Sequence, residues 1–301
     1  MLFSNSNYKL ISILLVILST TCLLYNLHFN SPWQRHQILR TNATSVRPAE
    51  DKFVCRRKVE EKIFLLADDD TLMRMNQIQL MEMYWKYINT LQVLCRNQIR
   101  LGSMKDGGKE ICLDGIYKPR RPCLVYSFGS NFQFDFELSV IRNFKCEVHT
   151  FDPSHPVKNL RFPPQINFHL TGLWNSSKTN KYGWKMKSLD DIRRKLNHEK
   201  RVIDVLKIDV EGAEWNALPD MFQSGVLKYV KQLSIEIHVG ERNVGDVSVS
   251  QQIKILRRLY EHGFHIFMHE HNLYSTRRFK YPYPFITTVN EISLINVNWK
   301  A

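Results

Sequence analysis

The sequence predicts an α/β protein built on a Rossmann-type sheet with helices on both faces. Three observations carry this. From Cys123 onward, short apolar runs alternate with helical patterns, the rhythm of βαβ units around a parallel sheet. The run Val202 to Ile208 is apolar and β-branched apart from Asp204 and Lys207, as suits a strand covered on both faces. That strand stops on Asp209 and Glu211, and Gly212 then permits a tight turn into a helix. Ligands of open α/β sheets bind at the carboxyl ends of the strands, so Asp209 and Glu211 stand where chemistry is expected. The competing reading makes them a helix cap and a first-turn acid.

In chain order, residues 1–9 are a short tail. Leu10 to Leu27 is apolar and uncharged, and as a helix it spans about 27 Å, close to the hydrocarbon core of a bilayer. It is expected to be a transmembrane signal anchor. A cleaved signal peptide is the alternative, although no small-x-small site follows the run. Residues 28–62 are polar, with Pro32, Pro48 and scattered bases, and read as a stem. Residues 63–110 read as a helical extension. Asp68, Asp69, Asp70 and Thr71 open it, and Leu72, Met75, Ile78, Met81, Trp85, Ile88, Leu91 and Cys95 line one face. That spacing predicts one long amphipathic helix ending near Gly102.

Residues 111–301 form the main domain. Strands are expected at 124–128, 147–151, 165–170, 202–208, 233–239, 264–269 and 292–297. Helices are expected at 134–144, from Leu189 to about His198 with Ser188 as cap, after Gly212, and after a Ser250 cap.

The chain carries 42 Lys and Arg against 29 Asp and Glu, a net charge of +13. This favours anionic partners such as a membrane surface or acidic glycans. There is no zinc-finger spacing and no dense basic run with interleaved aromatics, so nucleic acid is not expected. Asn42-Ala-Thr44 and Asn175-Ser-Ser177 fit the N-glycosylation pattern. Beyond Cys22, five cysteines remain, enough for two disulfides and one thiol in an oxidising lumen. The expected location is therefore the lumen of the endoplasmic reticulum or Golgi, membrane-anchored through the N-terminal helix, or alternatively secreted.

Gly129 ends the first strand of the domain, Asp152 the second, and Trp174 follows the third. A glycine turn, a ribose-binding acid and a ring beside a purine make the general pattern of an adenosine-type cofactor site. His238, Asp209 and Glu211 fall at the carboxyl edges of adjacent strands, as candidates for a general base. Asp209, Glu211, Glu236 and His238 also form a divalent-cation donor set, but no metal is expected.

Leu206-Lys-Ile-Asp-Val-Glu-Gly-Ala-Glu214 resembles the signature of FkbM-type S-adenosylmethionine-dependent methyltransferases. The wider set Cys123-Leu-Val-Tyr-Ser-Phe-Gly129, Asp135-Phe-Glu137, Cys146 to Ser154, Ala213-Glu-Trp215, Glu236-Ile-His238 and Trp299-Lys300 is similar to the methyltransferase-like protein 24 family. The resemblance covers roughly Cys112 to the carboxyl terminus. It implies a class I methyltransferase fold, with seven strands and the last antiparallel. It also implies S-adenosylmethionine held by Ser127, Gly129 and Asn131 of the turn, with Asp152, Trp174 and Asp209. The acceptor stays open among a sugar hydroxyl, a small molecule and a protein side chain, with a sugar or small-molecule hydroxyl as the working expectation. Two departures stand out: the turn has a single glycine, and Ser127 replaces the acid that often receives the methionine amino group. They motivate a second reading, a non-catalytic membrane-tethered binding or trafficking protein that retains the fold.

Cys123 lies six residues before Gly129 and Cys146 six before Asp152. On adjacent strands about 4.8 Å apart, the two cysteines fall at equal depth, within disulfide reach. A Cys123–Cys146 bridge is expected, with Cys112–Cys123 as the competitor.

Overall fold

The computed structural model describes residues 66–104, 107–154, 162–239, 247–278 and 285–300. The chain divides into two units, 1–57 and 58–301; the first lies outside the described residues. So do the predicted anchor, the stem and the Asn42 site. Among the described residues, no helix is long and apolar enough to cross a membrane.

Seven strands form the central sheet: β3 (Leu124–Phe128), β4 (Glu147–Phe151), β5 (Asn167–His169), β9 (Ile203–Ile208), β10 (Val230–His238), β11 (Phe264–His271) and β14 (Val289–Asn296), in the order β11-β14-β10-β9-β3-β4-β5. The strands from β5 to β10 run parallel, and β14 is antiparallel to both its neighbours. This is the architecture the sequence implies. Both β3 and β9 are buried at every position, which explains their uninterrupted apolar character. Between the strands lie α3 (Asp135–Phe144), α4 (Leu189–Lys195), α5 (Glu214–Gln223) and α6 (Val249–Glu261). Ser188 caps α4 as predicted. The α6 cap is Ser248 rather than Ser250, because Gln251 three residues on closes a capping box with it.

The long N-terminal helix is not formed. Two shorter ones replace it, α1 (Asp69–Arg74) and α2 (Gln77–Ile88). The break comes at Met75, which is extended, and Asn76, which restarts the chain with its own capping box to Gln79. After Ile88 the backbone becomes strand: β1 (Gln98–Leu101) pairs with β2 (Lys109–Cys112) in an antiparallel hairpin, and Cys95 is bridged to Cys112. The helices brace α6, with the Tyr87 hydroxyl donating to the Leu256 carbonyl at 3.2 Å and Arg257 paired with Asp69. Gly107 and Gly108 lie between strands β1 and β2. The hairpin packs against β10 and β14, where Gln232 exchanges hydrogen bonds with the Cys112 backbone at 2.8 and 3.1 Å.

The Cys123–Cys146 disulfide is present. The parallel register pairs Leu124 with Glu147, one residue past each cysteine, so the bridge staples the amino edges of β3 and β4. Two disulfides among the described residues fit an oxidising, secretory-type environment.

Candidate active site

A cavity of about 1220 Å³ opens at the carboxyl ends of β3, β4, β9 and β10. Gly129, Asn131, Asp152, Trp174, Asp209, Glu211 and His238 all line it. Ser127 does not. It is fully buried on β3 beneath the turn.

Gly129 has φ +76°, and a Cβ there would sit 1.6 Å from the Asp209 carbonyl oxygen. The glycine is thus demanded by the close approach of β3 and β9 as well as by its conformation. The two residues that follow Ser130 also take left-handed angles, Asn131 at φ 43° and Phe132 at φ 59°, although a bulky residue rarely does so. Asp152 holds the start of this turn, and the Phe132 amide donates to the Ser130 hydroxyl at 3.3 Å. One carboxylate oxygen accepts from the amides of Ser130 (3.1 Å) and Asn131 (2.8 Å), and the other from the Ser154 amide (2.9 Å) and hydroxyl (2.5 Å). Phe132 stacks among Phe162 and Phe168. A single glycine therefore suffices, because an acid on the neighbouring strand ties down the rest of the turn.

Neither Asp209 nor Glu211 caps the helix that follows. The N-cap of α5 is Ala213, with no side-chain cap, and its first-turn acid is Glu214. Asp209 instead lies 3.3 Å from the Lys109 ammonium and 3.5 Å from that of Lys207. Burial works against its charge, but Lys109 and then Lys207 hold its carboxyl well below the usual range. Glu236 lies beside it. Burial, then the charges of Asp209 and Glu291, push Glu236 up to about 10, so it is neutral at pH 7 and hydrogen-bonds Asp209. Lys109 arrives from β2, is 1% exposed, and also contacts Glu291 on β14. Burial opposes its charge, and Glu291 and Asp209 keep it raised.

His238 ends β10. Its Nδ1 is 3.0 Å from the fully buried Glu214, its Nε2 3.5 Å from Glu211 and 3.5 Å from Glu236. Burial disfavours its charge, yet the hydrogen bonds to Glu211 and Glu214, with the charge of Glu214, raise it to about 11. Trp215 fixes the strand end by donating to the His238 carbonyl at 2.7 Å. Glu211 sits on a left-handed turn (φ 54°) with 75% of its side chain exposed.

The profile of a family described as a methyltransferase domain matches residues 58–286. The chain belongs to this family. It is 28% identical over 240 residues to human "Probable methyltransferase-like protein 24", covering 72% of this chain and 64% of the human protein. The rat protein of the same name is 30% identical over 172 residues, 52% of this chain and 47% of the relative. The matched stretch thus spans less than two thirds of either relative.

Within this methyltransferase domain, Trp174 carries the Lys178 ammonium over its ring at 4.2 Å, so a ligand ring on that face would displace a cation. Among the described residues, three donor clusters resemble metal sites, and each also carries a contact within the protein. Lys109 contacts Asp209 and Glu291 of the Asp209–Glu236–Glu291 group. Arg201 contacts both Glu147 (2.7 Å) and His198 (3.1 Å) in the Glu147–His149–His198 group. In the third, Cys95 and Cys112 are bonded to each other. Sequence reasoning assigned no role to Lys109, Glu214 or Glu137. Glu137, in the first turn of α3, is 1% exposed, lines the cavity, and accepts from the Ser127 hydroxyl at 2.5 Å. Its second oxygen, Oε2, is buried without a hydrogen-bond partner. An unfilled carboxylate, a glycine turn and this volume together fit a cationic, adenosine-type ligand. The signal was an acid three residues into a helix that follows a strand ending without one.

Proposed function

We propose that the protein is an S-adenosylmethionine-dependent methyltransferase acting on a hydroxyl of a sugar or small molecule. The observation that carries this is one cavity lined by the Gly129 turn, Asp152, Asp209, Glu211 and His238 together. Its volume exceeds the roughly 300–1,000 Å³ usual for one small ligand, leaving space for a cofactor and an acceptor together. When bound, the cofactor supplies an electrophilic methyl group on a positively charged sulfur. Asp152 would hold its ribose. All four acceptor positions of that carboxylate are filled, so a ribose hydroxyl takes the place of the Ser154 hydroxyl. Gly129 and Asn131 border the same end, Asp209 lies at the floor, and Trp174 flanks the purine side.

On the acceptor side, Glu211 is the exposed carboxylate and the group we assign to take the hydroxyl proton. Charged His238 orients it. Asp209, stabilised by two lysines, is a weak base and contributes charge. Tyr182, 64% exposed, stands with Trp184 on the rim (centroids 5.3 Å apart) and offers a platform for the apolar face of a sugar. We place the domain in the lumen of the endoplasmic reticulum or Golgi, anchored by residues 10–27, or secreted after cleavage of that segment.

Calorimetry with S-adenosylmethionine and S-adenosylhomocysteine is the first test, and no binding at millimolar ligand rejects the proposal. A labelled methyl-transfer screen against glycans and lysate, comparing wild type with Asp152→Ala, then identifies the acceptor. A second reading, a non-catalytic binding protein, draws on the protonation of both Glu236 and His238 at neutral pH. Tight product binding with no transfer to any acceptor would favour it.

A further inference from the structure

We propose that Glu137 receives the α-ammonium group of the cofactor's methionine end, so that the acid missing from strand β3 is delivered by helix α3. The inference rests on the cofactor reading above. Ser127 occupies the strand position and has only a hydroxyl to offer. It spends that hydroxyl on Glu137 Oε1 at 2.5 Å. Glu137 Oε2 remains buried and unpartnered while the residue lines the cavity. Buried acceptors are nearly always satisfied in native proteins, and an unpartnered carboxylate oxygen is costly in proportion to its charge. A donor carrying positive charge is the complement of that oxygen.

A primary ammonium has three donors and no acceptor. One N–H pairs with Oε2, and Gly129 and Ser130 line the same cavity. The protein's own cations do not fill the role. Lys207 donates to the Gly129 carbonyl at 2.7 Å and pairs with Asp209, and Lys109 is taken up by Asp209 and Glu291. Burial raises the Glu137 carboxyl above its ordinary value despite the nearby Lys207 charge, and a bound ammonium would reverse that shift.

The placement also bears on selectivity. In Rossmann-type sites the helix after the first glycine turn ordinarily receives phosphate. A buried carboxylate in its first turn repels phosphate and welcomes an amine. Glu137 thus selects a methionine-type adenosyl ligand over nucleotides and dinucleotides.

The test is calorimetry on the purified full chain with its disulfides intact. The probes are S-adenosylhomocysteine, which carries the amino acid moiety, and 5′-methylthioadenosine, which lacks it. Glu137→Gln keeps the shape and removes the charge. It is expected to weaken S-adenosylhomocysteine on the order of 10- to 100-fold, the range of a charged hydrogen bond, and to leave 5′-methylthioadenosine unchanged. Equal losses for both ligands, or no loss for either, overturn the inference. So does a wild-type protein that binds both ligands equally well, a result that needs no variant. A wild-type protein that binds neither ligand instead rejects the cofactor reading, and this inference with it.

Discussion

Replacing Lys109 by Met would leave the floor of the site short of a buried cation. Lys109 is 1% exposed, 3.3 Å from Asp209 and in contact with Glu291. Removing one partner of such a buried pair costs about 3–5 kcal/mol, because the remaining charges stay desolvated. For a domain of this size that is a fall in Tm of roughly 6–20 °C. The penalty has a pH signature. In the wild type Asp209 is depressed by Lys109 and Lys207, so its contribution is present above the unfolded carboxylate pKa and lost as pH falls through the folded value. In Lys109→Met, Asp209 and Glu291 both move upward, and protonation relieves their repulsion. The difference between variant and wild type is therefore largest near neutrality and shrinks toward pH 5. Lys109→Met combined with Glu291→Gln should recover part of the loss, since the two positions share one network. Urea unfolding at pH 7.5 and pH 5 measures this. A loss below about 1 kcal/mol, or one equal at both pH values, refutes the buried-charge account.

Other perturbations separate the parts of the site. Gly129→Ala places a methyl group against the Asp209 carbonyl at a left-handed φ and should cost about 2–4 kcal/mol from strain and overpacking together; thermal melts with no shift would contradict this. Cys123→Ser with Cys146→Ser opens a link 23 residues apart in sequence. About 3 kcal/mol should disappear from the unfolding free energy with ligand affinity retained, because the bridge lies at the opposite edge of the sheet from the cavity. For His238→Asn, the lost charged hydrogen bonds are worth about 1.5–3 kcal/mol. The histidine is raised in the folded state to about 11. Its contribution is thus complete below the unfolded value near 6.5 and fades as pH climbs through about 11. The stability gap between wild type and variant should accordingly be wide at pH 6 and narrow by pH 10.5, and a gap that widened upward would reverse the assignment.

Much of the sheet was legible because its signals are local. Val202 to Ile208 carries its burial in its β-branched residues, and Cys123 and Cys146 count back equally from the two strand ends. The N-terminal helix failed for the same kind of reason. Apolar residues recur every three or four positions straight through Met75 and Asn76, and periodicity is blind to a capping box that restarts the helix in a new direction. The α6 cap turned on a choice between two serines two residues apart, settled by Gln251. Lys109 was unreadable as a site residue because its meaning is tertiary: a hairpin folds over β10 and β14 and sets one ammonium among acids 100 and more positions away. Glu137 looked like an ordinary first-turn acid, and only its burial beside Ser127 distinguishes it.

The β1–β2 hairpin has an implication for how such a site can diverge. The cation that bridges Asp209 and Glu291 is carried outside the seven-stranded sheet, on a ribbon held by the Cys95–Cys112 link. One codon change at position 109 would leave the sheet intact and remove the ammonium that bridges Asp209 and Glu291. The charge of the site's floor can therefore change without any change to the strands that hold the acids.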